Sequence, residues 1–188
     1  MASSRERILD SFEDTLIRDG ERAATMETVA AAAEVSKGGL LYHFPSKEAL
    51  VDALAARLLA LAESDRSRMV DDPEGPGRYY VRTSVYEDSP LDRALVSMAR
   101  LAQQGHPTAR ATLAQIQDLW LGALEKGLGN RTAAQAVKLL GDGIYYDAAF
   151  FSGDGAPRHS AGDLAELLTV VDLIVASYSS SAEGGSRA

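Results

Sequence analysis

The sequence predicts an all-α fold of about nine helices. Apolar residues recur three and four apart through nearly every segment, which is helical spacing. The segments open on Ser, Thr, Asn or Pro, the residues that start helices. No stretch alternates apolar and polar residues in the way a half-buried strand does.

The elements follow in order. Ser3-x-x-Glu6 reads as a capping box ahead of Ile8, Phe12 and Leu16, which share one face until Gly20 stops the helix. Thr25 caps a short alanine-rich helix through Ala33, and Ser36 caps another through about His43. Pro45 and Ser46 open a long helix with Leu50, Leu54, Leu58 and Leu61 as its inner stripe. The densest run of breakers, DDPEGPG (71–77), separates a compact N-terminal third from a longer C-terminal part. A short helix is expected over 78–87. Ser89-Pro90 starts the next, striped by Leu91, Leu95, Met98 and Ala102, because proline suits the first turn. His106-Pro107 starts a helix carrying Leu113, Ile116, Trp120 and Leu124. Asn130 caps one carrying Val137, Leu140, Ile144, Ala148 and Phe151. Ser160-x-x-Asp163 caps the last, striped by Leu164, Leu167, Leu168, Val171, Ile174, Val175 and Tyr178. The remaining SSSAEGGSRA (179–188) has the composition of a disordered tail.

Composition narrows the functional classes. The chain has 188 residues, of which 46% are hydrophobic and 24% charged, an ordinary globular balance. With no cysteine, a disulfide scaffold, a thiolate zinc site and a thiol nucleophile are excluded. No apolar run approaches the roughly 18 residues that cross a bilayer. The start, MASSRERILD, is charged where a signal peptide is apolar, so a soluble cytoplasmic protein is expected. His43, His106 and His159 are far apart and lack HExxH spacing. There is no GxSxG or Walker-type loop, and the Gly-rich FSGDGAP (151–157) follows no strand. No enzyme activity, metal or cofactor is expected. A formal net charge of −8 disfavours a protein that coats nucleic acid non-specifically. Residues 1–50 hold six basic and nine acidic side chains. Between 22 and 47 the balance is reversed, with Arg22, Lys37 and Lys47 against Glu27 and Glu34. Most of the other acids fall on the first helix and are expected to face elsewhere.

The informative segment is TMETVAAAAEVSKGGLLYHFPSK (25–47), two short helices joined by a tight turn. The second carries Gly38 and Gly39, each costing about 1 kcal/mol relative to alanine in a helix. A helix that served only a core would gain nothing from two successive glycines. They leave one face bare, so that a partner can approach the backbone. Lys37, Tyr42 and His43 lie outside the apolar positions, and Ser36 stands where a hydroxyl and free N–H groups meet a phosphate. Lys47 sits in the first turn of the long helix, where a cation opposes the helix dipole and a bound phosphate would compensate it. These features suit a helix-turn-helix whose second helix enters the major groove.

VSKGGLLYHFPSKEAL (35–50) resembles the signature of the tetracycline-repressor (TetR) family, roughly V-S-K-G-T-L-Y-Y-H-F-x-S-K-E-x-L, and ETVAAAAEVS resembles that family's first motif helix and turn. The resemblance covers about residues 5–60. It implies a DNA-binding domain at 1–46 and a helical regulatory and dimerisation domain at 47–178, with 47–70 the connecting helix. It implies phosphate contact by Thr25 and Lys47, groove or rim positions for Ser36, Lys37, Gly38 and Gly39, and phosphate or base contact by Tyr42 and His43. Leu40 and Phe44 are then packing residues. Glu34 stands where the family often has a turn glycine, which predicts a turn of different type. Gly39 stands where threonine is common, and Leu41 where tyrosine is frequent.

A palindromic operator calls for two reading heads, hence a homodimer. The last two long helices are expected to pair through Ala133, Ala136, Val137, Leu140 and Ile144, and through Leu164, Leu168, Val171 and Val175. The resemblance also implies a small-molecule inducer. Tyr86, Met98, Trp120, Tyr145 and Phe150 are the candidate wall residues, which points to a mostly apolar or aromatic ligand. Asp142, Asp147 and Arg82 are charges expected at the surface. The competing function is a helical dimeric protein-binding or structural module that binds no operator.

Overall fold

The computed structural model describes residues 3–151 and 160–184. FSGDGAP after Phe151 and the end of the tail after Gly184 lie outside the described residues. Among the described residues the secondary structure is helical: α1 (Ser4–Asp19), α2 (Met26–Ala32), α3 (Lys37–His43), α4 (Lys47–Val70), α5 (Pro76–Thr83), α6 (Pro90–Gln103), α7 (Pro107–Leu128), α8 (Arg131–Phe151) and α9 (Ala161–Gly184). No helix there is long and apolar enough to cross a membrane.

The predicted N-cap side chains are in place, each meeting an N–H that a helix start leaves unpaired, but at α1 only the Ser3 half of the expected capping box forms, because Glu6 turns to Arg57. Ser3 accepts from Glu6 N–H at 3.2 Å, and Asn130 Oδ1 from Ala133 N–H at 3.0 Å. Ser89 and Asp92 form a reciprocal capping box, as do Ser160 and Asp163.

Three local expectations need correction. First, α5 spans Pro76–Thr83 rather than 78–87. Gly75, at φ 86°, and Pro76 start it early, while the Thr83 and Ser84 hydroxyls donate back to the Tyr79 and Tyr80 carbonyls at its end. Second, α9 continues to Gly184, into the segment that composition assigned to a tail, because no breaker follows Tyr178 before that glycine. Third, α6 turns Ala94, Met98 and Leu101 fully inward, leaving Leu91, Leu95 and Ala102 half-buried. Small side chains let α6 lie close to α1: the Ser97 hydroxyl donates to the Arg93 carbonyl (2.7 Å) and its oxygen comes within 3.5 Å of the Glu13 carbonyl.

The chain forms two compact units, Met1–Ala62 with Asp88–Ile116, and Glu63–Glu87 with Gln117–Ala188. The breaker at 71–77 therefore lies inside the second unit and does not divide the chain there. In the second unit α5 packs on α8 and α9. A Cβ on Gly141 would meet the Tyr80 ring at 2.6 Å and the Ser84 hydroxyl at 2.7 Å, so glycine lets α8 and α5 touch.

In the first unit α1 packs on α2, α3 and α6, burying Ile8, Leu9, Phe12 and Leu16. Glu13 is buried with them. Its Oε2 faces Arg57 of α4 at 3.6 Å and Arg93 of α6 at 3.8 Å, while its buried Oε1 has no hydrogen-bond partner. Arg57 is also held by Glu6 (2.8 Å) and Asp10 (2.7 Å), and Arg93 by Asp14 and Asp88. Burial pushes the Glu13 carboxyl up to about 7, against the pull of Arg57 and Arg93 and helped by Asp10 and Asp14.

A carboxyl raised from its ordinary 4.5 to about 7 stabilises the fold most fully below pH 4.5, and that contribution is lost as pH rises through 7. Glu13→Gln fixes the neutral form and leaves both arginines their other carboxylates. Its thermal midpoint should exceed that of the unsubstituted protein by a few degrees at pH 8 and converge with it near about pH 5. Parallel curves across that range would show that Glu13 does not titrate there.

Candidate nucleic-acid interface

The turn between α2 and α3 closes the first short helix by two bonds, Glu34 N–H to Ala31 O (3.1 Å) and Val35 N–H to Ala30 O (3.0 Å). This is the Schellman pattern, which places one residue in the left-handed region. Glu34 occupies that place with φ 54°. An L-residue there carries a cost of about 1–2 kcal/mol that glycine avoids. The departure at position 34 thus keeps the left-handed backbone that a glycine would supply. The expected change of turn type does not occur.

Ser36 caps α3 by accepting from Gly39 N–H at 3.0 Å. Leu40 is fully buried, and Phe44 at the C-cap is buried with Arg5 over its ring at 5.0 Å. The opposite surface carries Lys37, Gly38, Leu41 and Tyr42, all exposed. Tyr42 is 86% exposed, its ring edge-on to His43 at 5.2 Å. A Cβ on Gly38 would meet nothing nearer than Ser36 Oγ at 4.0 Å. One on Gly39 would meet Ser36 Oγ at 3.3 Å and Val35 at 3.9 Å. Nothing within the chain therefore requires glycine at 38.

The eight residues expected to contact DNA sit on α2, α3 and their flanks. Thr25, Ser36, Lys37, Gly38 and Tyr42 are exposed, and Gly39, His43 and Lys47 are half-buried. Thr25 Oγ1 accepts from Thr28 N–H (3.1 Å) and shares a hydrogen bond with the Thr28 hydroxyl (2.9 Å). Lys37 Nζ donates to Glu27 Oε1 at 2.6 Å, joining α3 to α2. That bond holds the Glu27 carboxyl below its ordinary range. Lys47 Nζ donates to the Glu21 carbonyl (2.9 Å) and to Glu21 Oε1 (2.5 Å), joining α4 to the loop after α1. Neither partner acid was legible in the sequence, since ten and twenty-six positions separate the pairs. Four of the nine acids in residues 1–50 (Glu6, Asp10, Glu13 and Asp14) are engaged by Arg57 and Arg93 instead.

Residues 8–54 match the family described as bacterial regulatory proteins, tetR family. The chain is also 32% identical over 106 residues to the HTH-type transcriptional regulator RutR of Escherichia coli (strain K12). That alignment covers 54% of this chain and 50% of RutR, so the chain matches about half the length of this relative. Residues 8–54 are thus similar to the N-terminal segment of tetR-family regulators. Salmonella enterica GusR has the same fold, with a TM-score of 0.68 at 21% identity over 92% of this chain and 95% of GusR. So does the multidrug binding protein EbrR complexed with ethidium, with a TM-score of 0.61 at 19% identity over 92% of this chain and 98% of EbrR. The matched family segment contains α2, α3 and the start of α4, the elements that carry the exposed surface just described.

The candidate ligand wall is divided. Tyr86 and Tyr145 are neighbours, with ring centroids 6.5 Å apart, and Trp120 lies against Tyr80 at 6.1 Å. These residues belong to the second compact unit, whereas Met98 is fully buried in the first. The Phe150 side chain lies outside the described residues. Sequence reasoning missed a polar network beside Trp120. Asp65, buried on α4, accepts from Tyr79 Oη (2.8 Å) and Trp120 Nε1 (3.1 Å). Asp142, expected at the surface, accepts from Tyr80 Oη (2.6 Å) and from the buried Lys138 (2.6 Å), which also donates to Gln117. Burial and Asp65 push the Tyr79 hydroxyl up to about 12, so it remains a donor. Arg82 pairs instead with Asp72 and Glu74.

Gly38→Ala separates packing from contact. With open space at the Cβ, alanine should stabilise the protein by about 0.5–1 kcal/mol in chemical denaturation. The same variant should bind duplex DNA more weakly, and a gain of stability with unchanged DNA binding would remove Gly38 from the contact surface.

Proposed function

We propose that this protein is a sequence-specific DNA-binding transcriptional regulator, a repressor, acting as a homodimer on a palindromic operator and released by a small molecule. Residues 1–46 read DNA, and 47–178 carry regulation and dimerisation. The exposed face of α3 carries this reading: a bare glycine that no packing demands, between Lys37 and the projecting Tyr42. Side-chain-free backbone beside a cation and an exposed aromatic suits the major groove, with the lysines on flanking phosphates. A DNA operator also places the protein where DNA is, in the bacterial cytoplasm.

Dimerisation through α8 and α9 is supported by apolar surface that the monomer leaves uncovered. The residues first assigned to the interface are mostly spent internally: Ala133, Val137, Ile144, Leu168 and Val171 are buried within the protomer. Exposed instead are Leu139 (72%) and Tyr146 on α8, and Val170 and Leu173 (66%) on α9. Leu139 and Tyr146 are two turns apart and so share a face. Isologous burial of these side chains would hold two heads at a fixed separation. For the inducer, the aromatic pairs Tyr86–Tyr145 and Tyr80–Trp120 favour a mostly apolar or aromatic compound. The ethidium held by EbrR, a protein of the same fold, is of that kind. Such a ligand acts by preferring the conformer that fits DNA poorly.

Selection of bound duplexes from a random pool, at two salt concentrations, should recover a palindrome. No enrichment at either salt, repeated after refolding to remove any co-purified ligand, would favour the protein-binding module instead. On the recovered site Tyr42→Ala should cost about 1 kcal/mol or more, and Lys47→Ala should lower the salt slope by about 1, with circular dichroism unchanged. Unchanged affinity in both variants overturns the site assignment.

The interface has its own test. Leu139→Glu combined with Leu173→Glu should yield a folded monomer by sedimentation and lose operator binding. A dimer that survives both substitutions places the interface elsewhere.

A further inference from the structure

We propose that Glu27 and Glu21 are specificity-determining residues of the DNA-binding face, each masking one of its two lysines so that DNA must displace a carboxylate before a phosphate is held. The inference rests on the reading that this face binds DNA. Lys37 and Lys47 are the cations of α3 and of the first turn of α4, and each is already hydrogen-bonded to an in-chain carboxylate at 2.6 Å and 2.5 Å. The Lys37–Glu27 pair is exposed on both sides and joins two helices whose packing is apolar. Exposed ion pairs of this kind add little to stability, so the pair does not hold the head together. What it does is occupy the ammonium group.

A phosphate oxygen and a Glu Oε1 compete for the same donor. When DNA wins, the released carboxylate lies beside the duplex and is repelled by it. Every DNA sequence imposes this cost, but only a matching operator offsets it with contacts to α3. On non-operator DNA the lysines stay with their glutamates, fewer counterions are released, and binding is weak and shallow in salt dependence. Thermodynamically this raises the ratio of specific to non-specific affinity rather than the affinity itself.

The test measures binding of the full-length protein to a random duplex and to its selected operator across a salt series, for Glu27→Gln, Glu21→Gln and the double variant. Glu34→Gln is the control: it removes an equal charge from the turn before α3, where Glu34 holds no ion pair among the described residues. Each masking variant should steepen the salt slope on random DNA by about 0.9, the value for one more phosphate neutralised. Low-salt affinity for random DNA should rise severalfold, with a smaller rise on the operator, so that the specificity ratio falls. Glu34→Gln should leave the slope unchanged. Thermal melting confirms that each variant is folded. Weaker binding or an unchanged slope in folded Glu27→Gln and Glu21→Gln would show that the carboxylates orient the lysines, and would overturn the proposal. So would an equal effect from Glu34→Gln, which is what general charge repulsion produces. Binding to random DNA by the double variant alone would support masking. If neither the unsubstituted protein nor any variant binds either duplex at low salt, the DNA reading itself fails, and masking fails with it.

Discussion

Burial of Leu40 and Phe44 is the constraint on which the exposed face of α3 depends. A seven-residue helix with two adjacent glycines does not persist in water by itself, because nucleation is unfavourable and each glycine adds about 1 kcal/mol of cost. Fully burying one leucine or phenylalanine contributes about 1.5–3 kcal/mol. Two such side chains outweigh the two glycines, so tertiary packing and not propensity forms α3. Because Leu40 and Phe44 fix one side of α3 against the first unit, the other side is free of structural duty. Gly38 and Tyr42 can then be chosen for an external partner alone.

Electrostatics follows from the same division. The head is acidic overall, yet its acids are not spread evenly. Arg57 and Arg93 gather Glu6, Asp10, Glu13 and Asp14 on the α4 and α6 side of α1. Of the other five, Asp19 pairs with Arg18, and Glu21, Glu27, Glu34 and Glu48 set the local field around Lys37 and Lys47. Net charge over a segment is therefore a poor guide to the charge a duplex would meet. Glu13 adds a second consequence: its unpaired oxygen sits where α1, α4 and α6 meet, so the proton it gains near neutrality stabilises that junction.

What was legible in the sequence was local. Ser3, Thr25, Ser36, Ser89, Asn130 and Ser160 each bond an N–H three positions on, and that relation is written in the chain itself. The eight expected contact residues occupy neighbouring elements for the same reason, since they fall within one helix-turn-helix. What was not legible required partners distant in sequence. The Lys37–Glu27 tie joins α3 to α2, and α6 turns Ala94 inward because α1 lies close, which periodicity alone cannot say. Which side chains of α8 and α9 face outward was not legible for a related reason. An apolar stripe records burial without recording by what, and α5 already covers Val137 and Val171, whose side chains face Gly77.

The polar interior of the second unit bears on how a ligand could act there. Asp65 accepts from Tyr79 and Trp120, and Asp142 accepts from Tyr80 and Lys138. Lys138 is buried and Asp142 only half-buried, so losing Asp142 would leave a buried ammonium held by Gln117 alone. Displacing α5 against α8 breaks the Tyr80–Asp142 hydrogen bond and meets the close contact at Gly141, while the Lys138–Asp142 pair lies within α8. A ligand entering among Tyr80, Trp120 and Lys138 must replace the hydrogen bonds it breaks, or it gains nothing by entering.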